Sequence, residues 1–447
     1  MTIKPDGTAG AGQTPSDAVA GRELLMNLCQ VGRAVPRPPP PARPGRRALP
    51  GQQGPWPLRK ATRLAWLCLG LGCGVLGAAE TSVRISANRP WPALPDPPAA
   101  ILRAFSPPLE FADDLGGLRP VLRFEDGQPV RTPADWTRRR AELLAYWHRV
   151  MGPWPPLMAR PTLEVLRSEP RENFTQKRVR LGLAPGQTCE GWLLVPAGEG
   201  PFGAVLVPFY EPETSIGLGK PGRDFAYQLA RRGFVTLSIG SPGGDAWKPE
   251  RGGAICQPLS FLAYLAANGA NALASLPEVD PERLGVVGHS YGGKWALFAG
   301  ALCDRFAAVA VSDPGIVWDE ARPNVNYWEP WYLGLDPRRT RQPGVVTAEN
   351  PRTGAYQQLV EAGRDLHELH ALIAPRPLLV SGGSEDPPER WRALNHTVAV
   401  NRLLGFTNRV AMTNRATHDP TPESNEQLYR FFEWALGGRP MTPSSTR

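Results

Sequence analysis

Cysteine is scarce in this chain and forms no pattern. Six cysteines are spread over 447 residues, none in a C-x-x-C pair, and only Cys189, Cys256 and Cys303 lie beyond residue 79. That excludes a disulfide framework or a cysteine-zinc site as the organising device. Most of the chain also lacks an excess of charge. The net charge is +8, but residues 1–79 hold ten Lys/Arg against three Asp/Glu, so nearly all of the excess sits there. A nucleic-acid binder carries its basic patch on the folded domain, so no nucleic-acid partner is expected. Internal repeats are absent, and no apolar run reaches the roughly 20 residues of a membrane helix. What remains is ordinary globular composition, 42% apolar and 21% charged, enough to bury a large core.

Residues 1–57 read as a disordered leader, rich in Pro and Arg, with the run Pro38-Pro39-Pro40-Pro41. Residues 58–79 then show the three parts of an export signal: basic Arg59, Lys60 and Arg63, the uncharged run Leu64 to Ala79, and small residues at Gly77-Ala78-Ala79. This predicts a secreted or periplasmic protein with no stable membrane span. A signal belongs at the start of a chain, so translation is expected to begin near Leu58 and the mature protein near Glu80. Residues 80–160 read as an extended arm and a helix packed on the main domain. Thr132-Pro133-Ala134-Asp135 carries the hydroxyl cap, the Pro and the acid that open a helix, and Trp136, Leu143, Trp147 and Met151 follow at helical spacing.

Residues 161–440 form the main domain. Val179–Leu183 and Gly191–Val195 read as antiparallel strands. The later apolar runs, 204–207, 234–239, 284–287, 307–311, 378–380 and 409–412, alternate with helical stretches at 222–232 and 257–276, after Ser290, from Trp391 and from Pro422. Strands alternating with helices predict an α/β fold, a mostly parallel twisted sheet covered on both faces.

The chemistry centres on Gly288-His289-Ser290-Tyr291-Gly292, which follows a strand and precedes a helix. This G-x-S-x-G turn exposes a serine hydroxyl, and the glycines let neighbouring backbone approach closely. A serine needs a base. Of the six histidines, His418 follows the last strand and is the expected base. His148 precedes the sheet, His289 adjoins the nucleophile and points elsewhere, His367 and His370 precede strand 378–380, and His396 is mid-helix. The third member holds the imidazole tautomer. Asp386, directly after the strand 378–380, fits the order serine, acid, histidine; Asp313, after the preceding strand, and Glu385 are the alternatives. No metal is expected at this acidic cluster and no cofactor is required. Two N–H donors are expected for the oxyanion, one from Tyr291 and one from the loop after 204–207, at Tyr210.

With these residues in place the chain resembles the acetyl-xylan-esterase-like and dienelactone-hydrolase-like branch of the α/β-hydrolases, found in secreted bacterial esterases. The resemblance spans about residues 160–437. It rests on Val279-Asp280-Pro281-Glu282-Arg283, the elbow through Gly293-Lys294, Ala371-Leu372-Ile373-Ala374-Pro375-Arg376-Pro377, Asp386 and His418. It implies cofactor-free cleavage of carboxylic esters, often acetyl groups on polysaccharides. The chain is also similar to glucuronoyl esterases, whose elbow is G-x-S-x-x-G-K. That likeness implies that Lys294 contacts a sugar and that the acid comes from the loop of Asp313. His289 and Tyr291 stand where that family favours Cys and Arg.

Residues 314–372 exceed a single crossover and contain Trp318, Tyr327, Trp328, Trp331 and Tyr332. They read either as a lid that stacks on sugar rings or covers an acyl group, with Trp328 and Trp331 binding substrate, or as an insertion with its own core. The expected activity is hydrolysis of a small-molecule or polysaccharide ester, acetyl or uronate, through an acyl-enzyme. The alternative is a secreted peptidase of the prolyl-oligopeptidase type. It is disfavoured because only about 80 residues separate the signal from the sheet, too few for the β-propeller of that family.

Overall fold

A computed structural model describes residues 93–437; the leader and the signal-like segment lie outside them. Nine strands form one sheet: β1 Thr162–Arg171, β2 Phe174–Ala184, β3 Gln187–Pro196, β4 Phe202–Pro208, β5 Val235–Ile239, β6 Val279–His289, β7 Ala308–Ser312, β8 Leu378–Gly382 and β9 Val410–Asn414. Their order is β1-β2-β3-β5-β4-β6-β7-β8-β9. The helices are α1 Ala99–Leu102, α2 Pro133–Met151, α3 Pro212–Ser215, α4 Phe225–Arg231, α5 Pro258–Ala274, α6 Tyr291–Leu302, α7 Gly354–Glu361, α8 His367–Ile373, α9 Trp391–Leu403 and α10 Pro422–Leu436.

From β5 to β9 every pairing is parallel, and β1 to β3 add an antiparallel flank. The parallel strands β4, β5, β7 and β8 are buried at every position. That is why they read as continuous apolar runs rather than as alternation. The edge strand β1 has no fully buried residue, so its pattern carries little signal. Two cores flank the sheet. One contains Trp147, Phe261, Trp295 and Trp391, from α2, α5, α6 and α9; the other contains Phe225, Leu229, Phe432 and Leu436, from α4 and α10.

Helix α2 starts as its sequence dictates. Thr132 Oγ1 accepts the Asp135 N–H, and the Asp135 carboxylate accepts the Thr132 N–H, a closed capping box. Its apolar stripe, Trp136, Leu143, Trp147 and Met151, is buried. Between β7 and α8 the chain forms no strand of the sheet. Trp318, Tyr327, Trp328 and Tyr356 pack edge-on against one another there, and Arg341 pairs with Glu329 out of solvent. Its aromatics join the main core rather than forming one of their own, Trp318 lying 6.5 Å from Trp147 and Tyr327 6.1 Å from Phe298, and the segment begins among the carboxyl ends of the parallel strands. In open α/β sheets those ends are where ligand sites form.

Candidate active site

Ser290 occupies the turn from β6 into α6 with φ 54° and ψ −112°. A non-glycine residue held at positive φ costs on the order of 1–3 kcal/mol and persists only where its surroundings enforce it. Here both neighbouring backbones enforce it. A Cβ at Gly288 would lie 2.1 Å from the Gly292 carbonyl oxygen, and one at Gly292 would lie 2.1 Å from that of Pro208. The Ser290 N–H donates to Ser312 O at 2.8 Å, tying the turn to β7. The first N–H groups of α6 have no acceptor within the helix and face the nucleophile side.

His418, in the loop after β9, lies within hydrogen-bond reach of two partners. Its Nε2 is 2.9 Å from Ser290 Oγ, and its Nδ1 is 2.7 Å from Asp313 Oδ2. The structure thus brings Ser290 and His418 together, but the carboxylate behind the histidine is that of Asp313. Asp386, the acid that strand order favours, does not touch His418. The reason lies in the loop after β8, which presents backbone rather than a side chain. The N–H groups of Gly383 (2.6 Å) and Asp386 (2.9 Å) donate to Asp313 Oδ1. The Asp386 carboxylate turns away and accepts the N–H groups of Gly315 at 2.9 Å and Ile316 at 2.6 Å. Asp386 is fully buried; that burial, and next the charge of Asp313, push its pKa up to about 7. Glu385 accepts from Asn324 Nδ2 at 3.1 Å. One atom each of Asp313, Glu385 and His418 lies within 4.8 Å of the other two, and Asp313 and His418 are hydrogen-bonded to each other.

Arg415 is a member of the site that sequence reading missed. Its guanidinium donates to His418 O at 2.6 Å and to Ser381 O at 2.8 Å, pinning the histidine loop to the end of β8. No motif marks such a residue. His289 is buried beside His418, with ring centroids 4.7 Å apart, and its Nδ1 is 3.1 Å from Ser312 Oγ. Burial first, and then the positive charges nearby, hold its pKa well below the usual range.

Tyr210 follows β4. Its ring stacks on that of Tyr291 at 4.4 Å, and the Tyr291 hydroxyl is 2.6 Å from Ser241 Oγ. Burial raises the pKa of Tyr210, while hydrogen bonding to the hydroxyls of Tyr332 and Ser290 partly offsets this. Its phenol therefore lies beside Ser290, a feature that a backbone-donor assignment does not anticipate.

The expected substrate contacts fare differently. Trp328 is buried in the main core and donates Nε1–H to Gly344 O at 2.8 Å, so it does not face the cleft. Trp331 is also buried, but its ring lies 4.3 Å from that of Trp247, which is 57% exposed. Trp247 lies in a loop after β5 and has no periodicity to flag it. Lys294 is buried beneath the insertion. It donates to Asn324 O at 2.8 Å, with the Tyr327 and Tyr332 rings 5.1 and 5.7 Å away. Burial lowers its pKa to about 8, against the pull of Asp386, Glu385 and Asp313.

The acetyl xylan esterase (AXE1) family matches residues 262–317, from α5 past Asp313. A 4-O-methyl-glucuronoyl methylesterase of Neurospora crassa is 26% identical over 278 residues, 57% of this chain and 63% of that protein. One of Cerrena unicolor is 24% identical over 297 residues, 57% of this chain and 54% of that protein. The match thus spans less than two thirds of either relative. Among solved structures, a glucuronoyl esterase from Solibacter usitatus superposes with a TM-score of 0.57 at 21% identity, covering 72% of this chain and 98% of that one. A family 15 carbohydrate esterase (CE15) from Caldicellulosiruptor kristjansonii gives 0.51 at 21% identity, covering 74% and 94%. At that identity the likeness shows the fold, which is that of the α/β-hydrolases.

Proposed function

We propose that this chain, an α/β-hydrolase related to acetyl xylan and glucuronoyl esterases, is a serine carboxylic-ester hydrolase acting on a carbohydrate ester. The observation that carries the proposal is the unbroken chain Ser290 Oγ, His418 Nε2, His418 Nδ1, Asp313 Oδ2, with links of 2.9 and 2.7 Å. Ser290 Oγ attacks the ester carbonyl as His418 Nε2 takes its proton. The imidazolium that forms is stabilised by Asp313, which stays ionised. The tetrahedral oxyanion is held by the Tyr291 N–H at the start of α6 and by a donor from Tyr210. Collapse expels the alcohol, which takes the proton from His418. The acyl group stays on Oγ until a water, deprotonated by His418, releases the acid.

The relatives' names favour a uronate ester over an acetyl ester, and they disfavour the peptidase alternative. Among the described residues no helix is long and apolar enough to cross a membrane. The signal-like segment 58–79 supports export, which suits a polymer-borne substrate.

The test is a panel with wild type and Ser290→Ala: p-nitrophenyl acetate, acetylated xylan, a methyl glucuronate ester and a prolyl-peptide anilide. We expect ester turnover that Ser290→Ala lowers by on the order of 10⁴-fold or more. Turnover of the anilide alone, or full activity without Ser290, would sink the reading.

A further inference from the structure

Asp313 is a strained residue placed where precision matters. It leaves β7 at φ 51°, and its side chain must reach His418 Nδ1 at 2.7 Å. The loops after β7 and β8 hold it by a reciprocal exchange. Asp313 Oδ1 accepts N–H groups from the β8 loop: Gly383 at 2.6 Å, Asp386 at 2.9 Å and Glu385 at 3.2 Å. Asp386 returns the contact, its two oxygens accepting Gly315 N–H and Ile316 N–H at 2.9 and 2.6 Å. Those two residues follow Asp313-Pro314 and begin the aromatic insertion. The Asp386 carbonyl in turn accepts Asn414 Nδ2 at 3.0 Å from the end of β9, four residues before His418.

We propose that Asp386 is a positioning residue: by clamping the two amides after Asp313-Pro314 it fixes the strained backbone from which Asp313 aims at His418. This inference rests on the esterase reading of the site. The physical case is one of degrees of freedom. The β8-loop amides hold Asp313's carboxylate, but only Asp386 among the neighbouring side chains holds the backbone just beyond it. Release of Gly315 and Ile316 lets Asp313 relax from positive φ, and Oδ2 leaves the imidazole. A displacement of about 1 Å at a reacting geometry is worth about 10²-fold in rate. Asp313, Lys294, Arg390 and Arg415 are the charged groups acting on Asp386. Asp386 makes no direct hydrogen bond to His418; the carboxylate that does is that of Asp313.

The experiment uses the full chain with Asp386→Asn. The amide oxygen can still accept one of the two N–H groups, but the NH₂ faces the other donor to donor. Active sites are counted by fluorophosphonate labelling, so that loss of folded enzyme is separated from loss of rate. We expect kcat per labelled site to fall by about 10²-fold with KM within about threefold of wild type. The far-downfield proton resonance of His418 Nδ1–H should weaken or move. A purely structural role would lower the labelled fraction and leave kcat per site and the resonance unchanged; that result overturns the proposal, as does a loss confined to KM. If Asp386→Asn does not fold, Asp386→Ser, which keeps one acceptor without the amide nitrogen, is read by the same criteria. Ser290→Ala runs alongside: activity surviving in that variant defeats the esterase reading itself, whereas an inert Ser290→Ala with a normal Asp386→Asn defeats only this inference.

Discussion

Replacing Asp313 by Asn should be the most damaging change behind His418, and the geometry says how. The Asn side chain has one oxygen and one NH₂ to distribute between two faces. The inner face meets the Gly383 and Asp386 N–H groups at 2.6 and 2.9 Å, with Glu385 N–H beyond them. Turning the NH₂ inward would leave at least two buried donors unpaired, at about 1–3 kcal/mol each. The oxygen therefore stays inward and the NH₂ faces His418 Nδ1. That nitrogen must then accept, so the proton moves to Nε2, the atom that should take the proton of Ser290. The base is held in the wrong tautomer. Such a change lowers kcat by about 10⁴-fold, or about 5 kcal/mol of barrier. The assay is kcat and KM on p-nitrophenyl acetate and a methyl glucuronate ester, with circular dichroism to show an intact fold. Asp386→Asn should be clearly less impaired. If Asp313→Asn keeps more than a tenth of the wild-type rate while Asp386→Asn loses nearly all of it, strand order was the better guide and the hydrogen-bond argument fails.

Tyr210→Phe keeps the ring that stacks on Tyr291 and removes the hydroxyl facing Ser290. We expect a loss of about 10²-fold in kcat with KM little changed; an unaltered kcat would limit Tyr210 to packing and its backbone N–H. Ser290→Ala should abolish fluorophosphonate labelling without lowering the denaturation midpoint, since an alanine fills the same backbone position; labelling that persists would place the nucleophile elsewhere. His370→Leu probes buried helix α8. Among the described residues neither His370 ring nitrogen has a partner, and burial first, then His367 and His396, lowers its pKa to about 3. An unfolded histidine titrates near 6.5. Between pH 6.5 and 3 the unfolded chain therefore binds a proton that the native one refuses, and stability falls as pH drops. The leucine variant lacks that penalty. In urea denaturation it should gain about 2 kcal/mol more over wild type at pH 5 than at pH 8, and an equal gain at both pH values would refute the assignment.

Much of this was legible in one dimension because the responsible forces are local. The parallel strands show as apolar runs because both their faces are covered, and α2 shows because its cap and stripe are written in consecutive turns. The elbow Gly288–Gly292 is a local steric device, so its glycines reveal Ser290 without any tertiary knowledge. His418 follows from being in the loop after the final strand. The identity of the acid does not yield to such reasoning. Asp313 and Asp386 both follow buried parallel strands, and strand order favours Asp386. What separates them is which carboxylate the five amides of the two loops leave free to face the imidazole, a matter of hydrogen bonds between residues some 70 positions apart. The same holds for Trp328, whose aromatic character suited a sugar platform but whose indole N–H is taken by Gly344 inside the insertion. It holds equally for Arg415 and Trp247, which no spacing distinguishes. The sequence by itself determined the sheet and the candidate nucleophile and base, because periodicity and turn chemistry act over a few residues. Only the tertiary structure decided which carboxylate lies against His418 and which side chains face the cleft, because a carboxylate's partners depend on which distant backbone donors satisfy it.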